Sequence, residues 1–165
     1  VSAHLSASSS AVDTDWVVRL CDVFPDGRSL NVVEGIQRAR FRESASAPSL
    51  LQPGHIYDYT VRMSATEYLF RAGHRLRITV GSSSYPRWSR NLNVAAFPEQ
   101  AVEWTVARNA IHVDAAHPSW VELPILSADA VACRHGKDAA PSGERGALPM
   151  EAMPCPKPGG SEYPR

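Results

Sequence analysis

Apolar residues recur at every second position along most of the N-terminal half of the chain, and that periodicity limits the possible folds more than any other feature. Val1, Ala3, Leu5 and Ala7 alternate with small polar residues. Trp16, Val18 and Leu20 share one face of a second run, with Val17, Cys21 and Val23 on the other. Tyr57, Tyr59, Val61 and Met63 alternate with Ile56, Asp58, Thr60 and Arg62, and Leu76, Ile78 and Val80 with Arg75, Arg77 and Thr79. Successive side chains of a strand point to opposite sides, so this spacing predicts half-buried antiparallel strands. Shorter runs at 102–106, 111–113 and 121–125 extend the set. No stretch keeps a helical apolar stripe; the nearest, 64–70, predicts one or two turns. Phe24-Pro25-Asp26-Gly27 has turn chemistry, with φ preset at Pro25 and positive φ tolerated at Gly27. Pro53-Gly54 and Ala72-Gly73 precede two other strands. Many short strands spaced by turns predict an all-β sandwich or barrel.

Size and charge narrow the function. The 165 residues suffice for one domain and a tail, and fall well short of a complete α/β-hydrolase or α/β barrel. Seventeen basic side chains balance seventeen acidic ones, so no net field favours nucleic acid or an anionic membrane. No run reaches the roughly 18 apolar residues of a spanning helix, and VSAHLSASSS lacks the layout of a signal peptide. The first residue is Val rather than Met, which reads as a piece of a longer chain. Three cysteines, Cys21, Cys133 and Cys155, are too few and too odd for a disulfide scaffold, and favour reduced thiols in a cytoplasmic setting. Pro and Gly become dense near the end: residues 131–165 hold 6 Pro and 5 Gly, against 7 and 5 in the preceding 130. With few large apolar groups to offset the ordering entropy, residues 129–165 are expected to be a disordered tail behind a folded unit at 1–128.

Several constellations bear on chemistry. Neither Gly81-Ser82-Ser83-Ser84-Tyr85 nor Gly159-Gly160-Ser161-Glu162-Tyr163 has the second Gly of a nucleophile elbow, and no triad is visible. Cys133 and His135 lack the partner pair of a closed tetrahedral metal site. Asp13 and Asp15, with Asp22 and Asp26 nearby, read as Asx-turn formers rather than as calcium ligands. No catalytic residue, metal or cofactor is therefore expected. Arg38, Arg40 and Arg42 alternate as on one strand face, and Arg75, Arg77, Arg87 and Arg90 gather around a later strand. The favoured reading is a solvated face partly paired with Glu43, Asp13 or Asp15. The other has planar guanidinium forks buttressing loops or meeting another domain. Trp88, between Arg87 and Arg90 in SSSYPRWSRN, is either a lid on the core or an interface anchor.

With those residues assembled, the chain resembles a known family. Asp13-Thr14-Asp15-Trp16-Val17-Val18-Arg19-Leu20, then Asp22-Val23 and Pro25-Asp26-Gly27, is similar to a segment of the C-terminal domain of the X-Pro dipeptidyl-peptidase family, which includes cocaine esterase-like and α-amino acid ester hydrolases. Gly35, Arg38, Arg40, Phe41 and Arg42 match its next strand, and Pro53-Gly54, Tyr57 and Tyr59 the one after. The longest agreement is Phe70-Arg71-Ala72-Gly73-His74-Arg75-Leu76-Arg77, continuing to Ser82-Ser83-Ser84, Pro86-Arg87, Arg90 and Asn91-Leu92-Asn93. The resemblance implies a jelly-roll β-sandwich of the galactose-binding-like type, clipped at its first strand. It also implies an absent α/β-hydrolase domain that carries the Ser-His-Asp triad, so no triad residue transfers to this sequence.

Two functions follow as expectations. In the first, the chain is the non-catalytic accessory domain of a serine hydrolase acting on esters or Xaa-Pro peptides. It would pack on the α/β-hydrolase domain and shape the substrate entrance, with Arg87, Trp88 and Arg90 as the contact. The alternative is a free-standing carbohydrate-binding module, which wants exposed aromatic platforms; Tyr57, Tyr59 and Trp104 alternate as packed residues do and are expected in the core. An autonomous hydrolase is a third and disfavoured reading. No nucleic-acid or membrane partner is expected, and self-association is left open.

Overall fold

In the computed structural model, which describes residues 1–126, the alternating runs become seven strands. These are β1 (Ser2–Ser9), β2 (Asp15–Val23), β3 (Ser29–Arg38), β4 (Ile56–Arg62), β5 (Arg75–Gly81), β6 (Asn109–His112) and β7 (Trp120–Glu122). One sheet is centred on β1, with β4 along one edge and β6 and β7 sharing the other; the second sheet runs β3-β2-β5. Every pairing is antiparallel. The architecture is the all-β sandwich that the periodicity and the resemblance predict, and residues Val1–Leu123 form one compact unit.

The two sheets meet along the faces that the alternation marked. Ala3, Leu5 and Ala7 of β1 and Tyr59 and Val61 of β4 face Trp16, Val18 and Leu20 of β2, all within one buried cluster with Val33, Ala39, Leu51 and Met63. Fully burying a Val or Leu side chain stabilises by about 1.5–3 kcal/mol, so this seam supplies most of the driving force. Trp16 and Tyr59 bridge the sheets with ring centroids 5.5 Å apart. On one flank the layers close tightly. A Cβ on Gly35 of β3 would run into the Arg62 carbonyl and lie 2.9 Å from the Met63 Cα, and the Ser64 amide donates to the Glu34 carbonyl at 3.4 Å. Only glycine permits that approach.

The β2–β3 hairpin turns where Pro25-Asp26-Gly27 predicts. Gly27 takes φ 90° and donates its amide to the Phe24 carbonyl at 2.9 Å, while Asp26 accepts from the Arg28 amide at 3.0 Å. Other expectations are corrected. Residues 64–70 are not helical; Tyr68 and Phe70 are drawn to Asp22 and to the core instead, and these tertiary contacts override a weak local pattern. Among the described residues the one helical element is a 3-10 turn at Ala39–Phe41. The run 102–106 is not a strand. Among the described residues no ladder lies beside it, and it is held by the Thr105 amide on the Leu92 carbonyl and by Asn93 Nδ2 on the Thr105 carbonyl. Trp104, expected in the core, is therefore 71% exposed. The last run pairs only as Trp120–Glu122, and 111–113 only as part of Asn109–His112. The expected tail at 129–165, with Cys133, His135 and Cys155, lies outside the described residues.

Candidate functional site

β3 ends at Arg38 and the chain coils into its 3-10 turn, so Arg38, Arg40 and Arg42 leave the single strand face that their spacing predicts. The solvated face is corrected, because each guanidinium is tied inward, whereas the expected partners Asp15, Asp13 and Glu43 are the ones found, on Arg38, Arg40 and Arg42 in turn. Arg38 donates from Nε and Nη2 to the two oxygens of Asp15 at 2.9 and 3.1 Å. Arg40 donates from Nε to Asp13 Oδ2 at 2.7 Å, and its amide reaches Oδ1 at 2.9 Å. The rest of its fork caps the carbonyls of Val94, Ala95 and Ala96 at 2.7, 3.1 and 3.2 Å. Arg42 donates to the carbonyls of Ala39 and Ser49 and lies 4.3 Å over the Tyr57 ring. A planar fork with five donors suits this work, since it can answer a carboxylate and several carbonyls at once. Asp13 and Asp15 are accordingly not turn formers: they are the buried anions of the network, and Asn91 Nδ2 bridges them at 2.9 Å to each.

The network fixes the loop that carries Arg87, Trp88 and Arg90. Glu34, on β3, accepts from Arg19 Nε and Arg87 Nη1, both at 2.9 Å, and from Ser84 at 3.4 Å. Arg38 also reaches the Ser89 carbonyl at 3.3 Å. Within the loop the Trp88 amide donates to the Ser84 carbonyl, and the Tyr85-Pro86 bond is cis. The Arg87 guanidinium lies 4.9 Å from the centre of the Trp88 ring, and that of Arg90 lies 5.2 Å from Tyr85. The three expected residues thus sit on one loop whose inner side is pinned by buried carboxylates and whose outer side presents Tyr85, 66% exposed, with Arg87 and Arg90. Beside it a hollow of about 710 Å³ is lined by Arg90, Asn91, Asn93, Trp104 and Asn109 among others. Sequence reasoning missed Tyr85 and misplaced Trp104. The unbroken alternation of Val102, Trp104 and Val106 looks like a packed strand, and only the absent ladder shows otherwise.

Two histidines have part of a hydrolytic arrangement. Asp22 accepts from His74 Nδ1 at 2.8 Å and from the Tyr68 hydroxyl at 2.8 Å. Burial works against the Asp22 charge, but the bonds from His74 and Tyr68 outweigh it and hold the carboxyl below the usual Asp range. The same bond raises Tyr68, with burial and the Asp22 charge adding to it. On the other sheet Ser8 Oγ lies 3.1 Å from His112 Nε2. Asp22 belongs to β2 and Ser8 to β1, so carboxylate–imidazole and hydroxyl–imidazole pairs occupy different sheets rather than one relay.

What these features define is a class: an antiparallel β-sandwich domain whose loops are pinned by Arg–carboxylate pairs sunk between strand ends. Residues 1–122 match the family described as the X-Pro dipeptidyl-peptidase C-terminal non-catalytic domain, and the chain belongs to that family. It is 45% identical over 128 residues to the cocaine esterase of Rhodococcus sp. (strain MB1 Bresler), an alignment spanning 76% of this chain and 22% of the esterase. Among solved structures it is similar to an α-amino acid ester hydrolase, with TM-score 0.65, 32% identity and coverage of 72% of this chain and 21% of that one. An aminopeptidase from a marine sediment Thaumarchaeota archaeon gives TM-score 0.64 at 29% identity, covering 72% and 21%. The chain spans about a fifth of the length of these relatives, and corresponds to the non-catalytic C-terminal domain of such hydrolases.

Proposed function

We propose that this chain is the accessory domain of a larger serine hydrolase that cleaves esters or Xaa-Pro peptides. The Ser-His-Asp triad would lie on an α/β-hydrolase domain of the same parent chain. The loop bearing Arg87, Trp88 and Arg90 packs against that domain and borders its substrate entrance. The observation that carries this reading is a contrast in one place. Buried Glu34, Asp13 and Asp15 hold the loop rigidly from within, while Tyr85, Arg90 and the neighbouring Val102, Trp104 and Val106 remain exposed, the last three at 94, 71 and 70%. Large apolar groups gathered outside a well-packed core mark an interaction surface.

The test compares the parent chain with the 165-residue chain. The parent should hydrolyse p-nitrophenyl esters or an Xaa-Pro anilide, and the 165-residue chain neither. Arg90→Ala in the parent should raise KM or lower its thermal stability without altering the triad. Turnover by the 165-residue chain alone, or an upstream coding region without a nucleophile elbow, would overturn the proposal.

One observation favours a second reading, a carbohydrate-binding module. Trp104 offers an exposed ring beside Arg90, Asn91, Asn93 and Asn109, the mix of platform and polar donors that sugars require. Saturable quenching of Trp fluorescence by a saccharide, lost in Trp104→Ala, would promote it; unchanged fluorescence across a saccharide panel would remove it.

A further inference from the structure

The outward face of the sheet centred on β1 carries a hollow that the proposed function leaves unused. In this sheet Ser6 lies opposite Asp58 of β4, and His4 lies opposite both Thr60 of β4 and Trp120 of β7. Leu5 and Tyr59, the residues between them, belong to the core, so the strand period turns these five side chains outward. They floor a hollow of about 690 Å³, with His55 and Ile56 on the β4 side and His117 and Pro118 on the β7 side. That volume suits a small organic molecule. Its walls are held in place. Asp114 Oδ1 accepts from the amides of Ala116 and His117 at 2.9 Å each. Ser119 donates to the His112 carbonyl at 2.6 Å and accepts from the Ser6 amide at 3.0 Å. Trp120 is stacked on His4, with ring centroids 3.8 Å apart and planes 14° from parallel, yet stays 52% exposed.

The polar groups of this hollow are mostly open acceptors. The Ser6 hydroxyl donates its single proton to Asp58 Oδ1 at 2.6 Å. Among the described residues nothing answers the other Asp58 oxygen, and no Lys or Arg lines the hollow. The Pro118 carbonyl lies 3.3 Å from the same Ser6 hydroxyl, whose proton is already taken. A free carboxylate oxygen and a carbonyl beside an exposed indole face repel anions and favour a ligand rich in N–H donors. We infer that the hollow binds a small organic cation, a protonated amine carrying an apolar ring or chain. The ammonium donates to Asp58 and the Pro118 carbonyl, while the apolar part lies over Trp120 and Ile56, where an aromatic face also attracts positive charge. A sugar fits less well, because its hydroxyls need donors as well as acceptors. The Ser6 hydroxyl is committed to Asp58, and that of Thr60 lies 3.4 Å from His4 Nδ1. The inference does not depend on the parent hydrolase.

Titration calorimetry of the 165-residue chain with phenethylamine at pH 7 tests this. One saturable site is expected, with a Kd of about 1 mM or tighter. The neutral 2-phenylethanol and the anionic phenylacetate keep the ring without the cation, and each should bind at least about tenfold more weakly. Asp58→Asn keeps the side-chain shape and should cost at least about tenfold in affinity, and Trp120→Ala should abolish binding. Trp104→Ala, in the other hollow, should change nothing. Thr60→Lys leaves Asp58 intact and sets a competing cation two positions along the same strand face. It should also weaken phenethylamine, which keeps the test decisive if Asp58→Asn fails to fold. No saturation at about ten times the expected Kd would overturn the inference. So would an affinity untouched by both Asp58→Asn and Thr60→Lys, equal binding of 2-phenylethanol, or a hollow that takes a saccharide on Trp120 and ignores the amine.

Discussion

Arg40 and Asp13 meet at 2.7 Å with their side chains 2% and 0% exposed, just beyond the end of the β2–β3 ladder at Asp15 and Arg38. The pair is answered on every side: the Arg40 amide and Asn91 complete the carboxylate, and three carbonyls complete the guanidinium. Asp13 precedes β2 and Arg40 follows β3, so one ion pair gathers both strand ends and the 94–96 backbone.

Removing one partner strands the other charge in a dry site. Asp13→Ala should therefore cost about 3–5 kcal/mol, whereas Asp13→Ala combined with Arg40→Met should recover part of that loss. Urea unfolding of the two single variants and the double variant reads the coupling directly. A double variant no more stable than Asp13→Ala alone would show that the loss lies in the carbonyl caps rather than in the pair.

Glu34 and Arg87 should behave unequally despite sharing a bond. The Glu34 side chain is 7% exposed and serves Arg19, Ser84 and Arg87, so Glu34→Ala should cost about 2–3 kcal/mol. Arg87 is 53% exposed, and Arg87→Ala should cost no more than about 1 kcal/mol. It should also shift Trp88 emission, since the ring loses its stacked cation. Differential scanning calorimetry with fluorescence separates the two effects.

Gly35→Ala tests the closed flank. The added methyl meets backbone, which cannot rotate aside, so the strands must part; a loss of about 3 kcal/mol is expected. Gly81→Ala, where a Cβ meets nothing within 4 Å, is the control and should cost far less. Denaturant midpoints for the two variants make the comparison.

Asp22 predicts an acid limb. Its carboxyl titrates lower when folded than in the unfolded chain, where Asp titrates near about 3.9. The unfolded state therefore takes up the proton first. The contribution of Asp22 is complete above that value and is lost as pH falls through it toward the folded pKa. Asp22→Asn should lower stability at pH 6 and flatten its decline between about pH 5 and 2. Denaturant midpoints measured across that range check both, and a variant that keeps the full acid slope would contradict the assignment.

The strands were legible because burial on a pleated sheet is written locally. Ala3, Leu5 and Ala7, Trp16, Val18 and Leu20, and Tyr59 and Val61 carry period two in the sequence and occupy the core in the structure. Local pattern failed where a residue's fate depended on a distant neighbour. Val102, Trp104 and Val106 alternate as cleanly as any strand, yet among the described residues no ladder lies alongside them, and residues 64–70 were drawn out of a helical turn by Asp22 and the core.

The loop of Arg87, Trp88 and Arg90 could be picked out from its composition, and Asp13 and Asp15 as partners of arginines, but neither Glu34 as its anchor nor the burial of these carboxylates. Alternating arginines are the same string of letters whether they face water or a buried carboxylate. Sequence alone determined the class of fold, its main strands and its turns, since these follow from side-chain spacing and backbone preference within a few residues. Tertiary structure decided which charges would be dry and which alternating runs would find a ladder. Desolvation and pairing depend on what the chain brings together across tens of residues, and no local pattern records that.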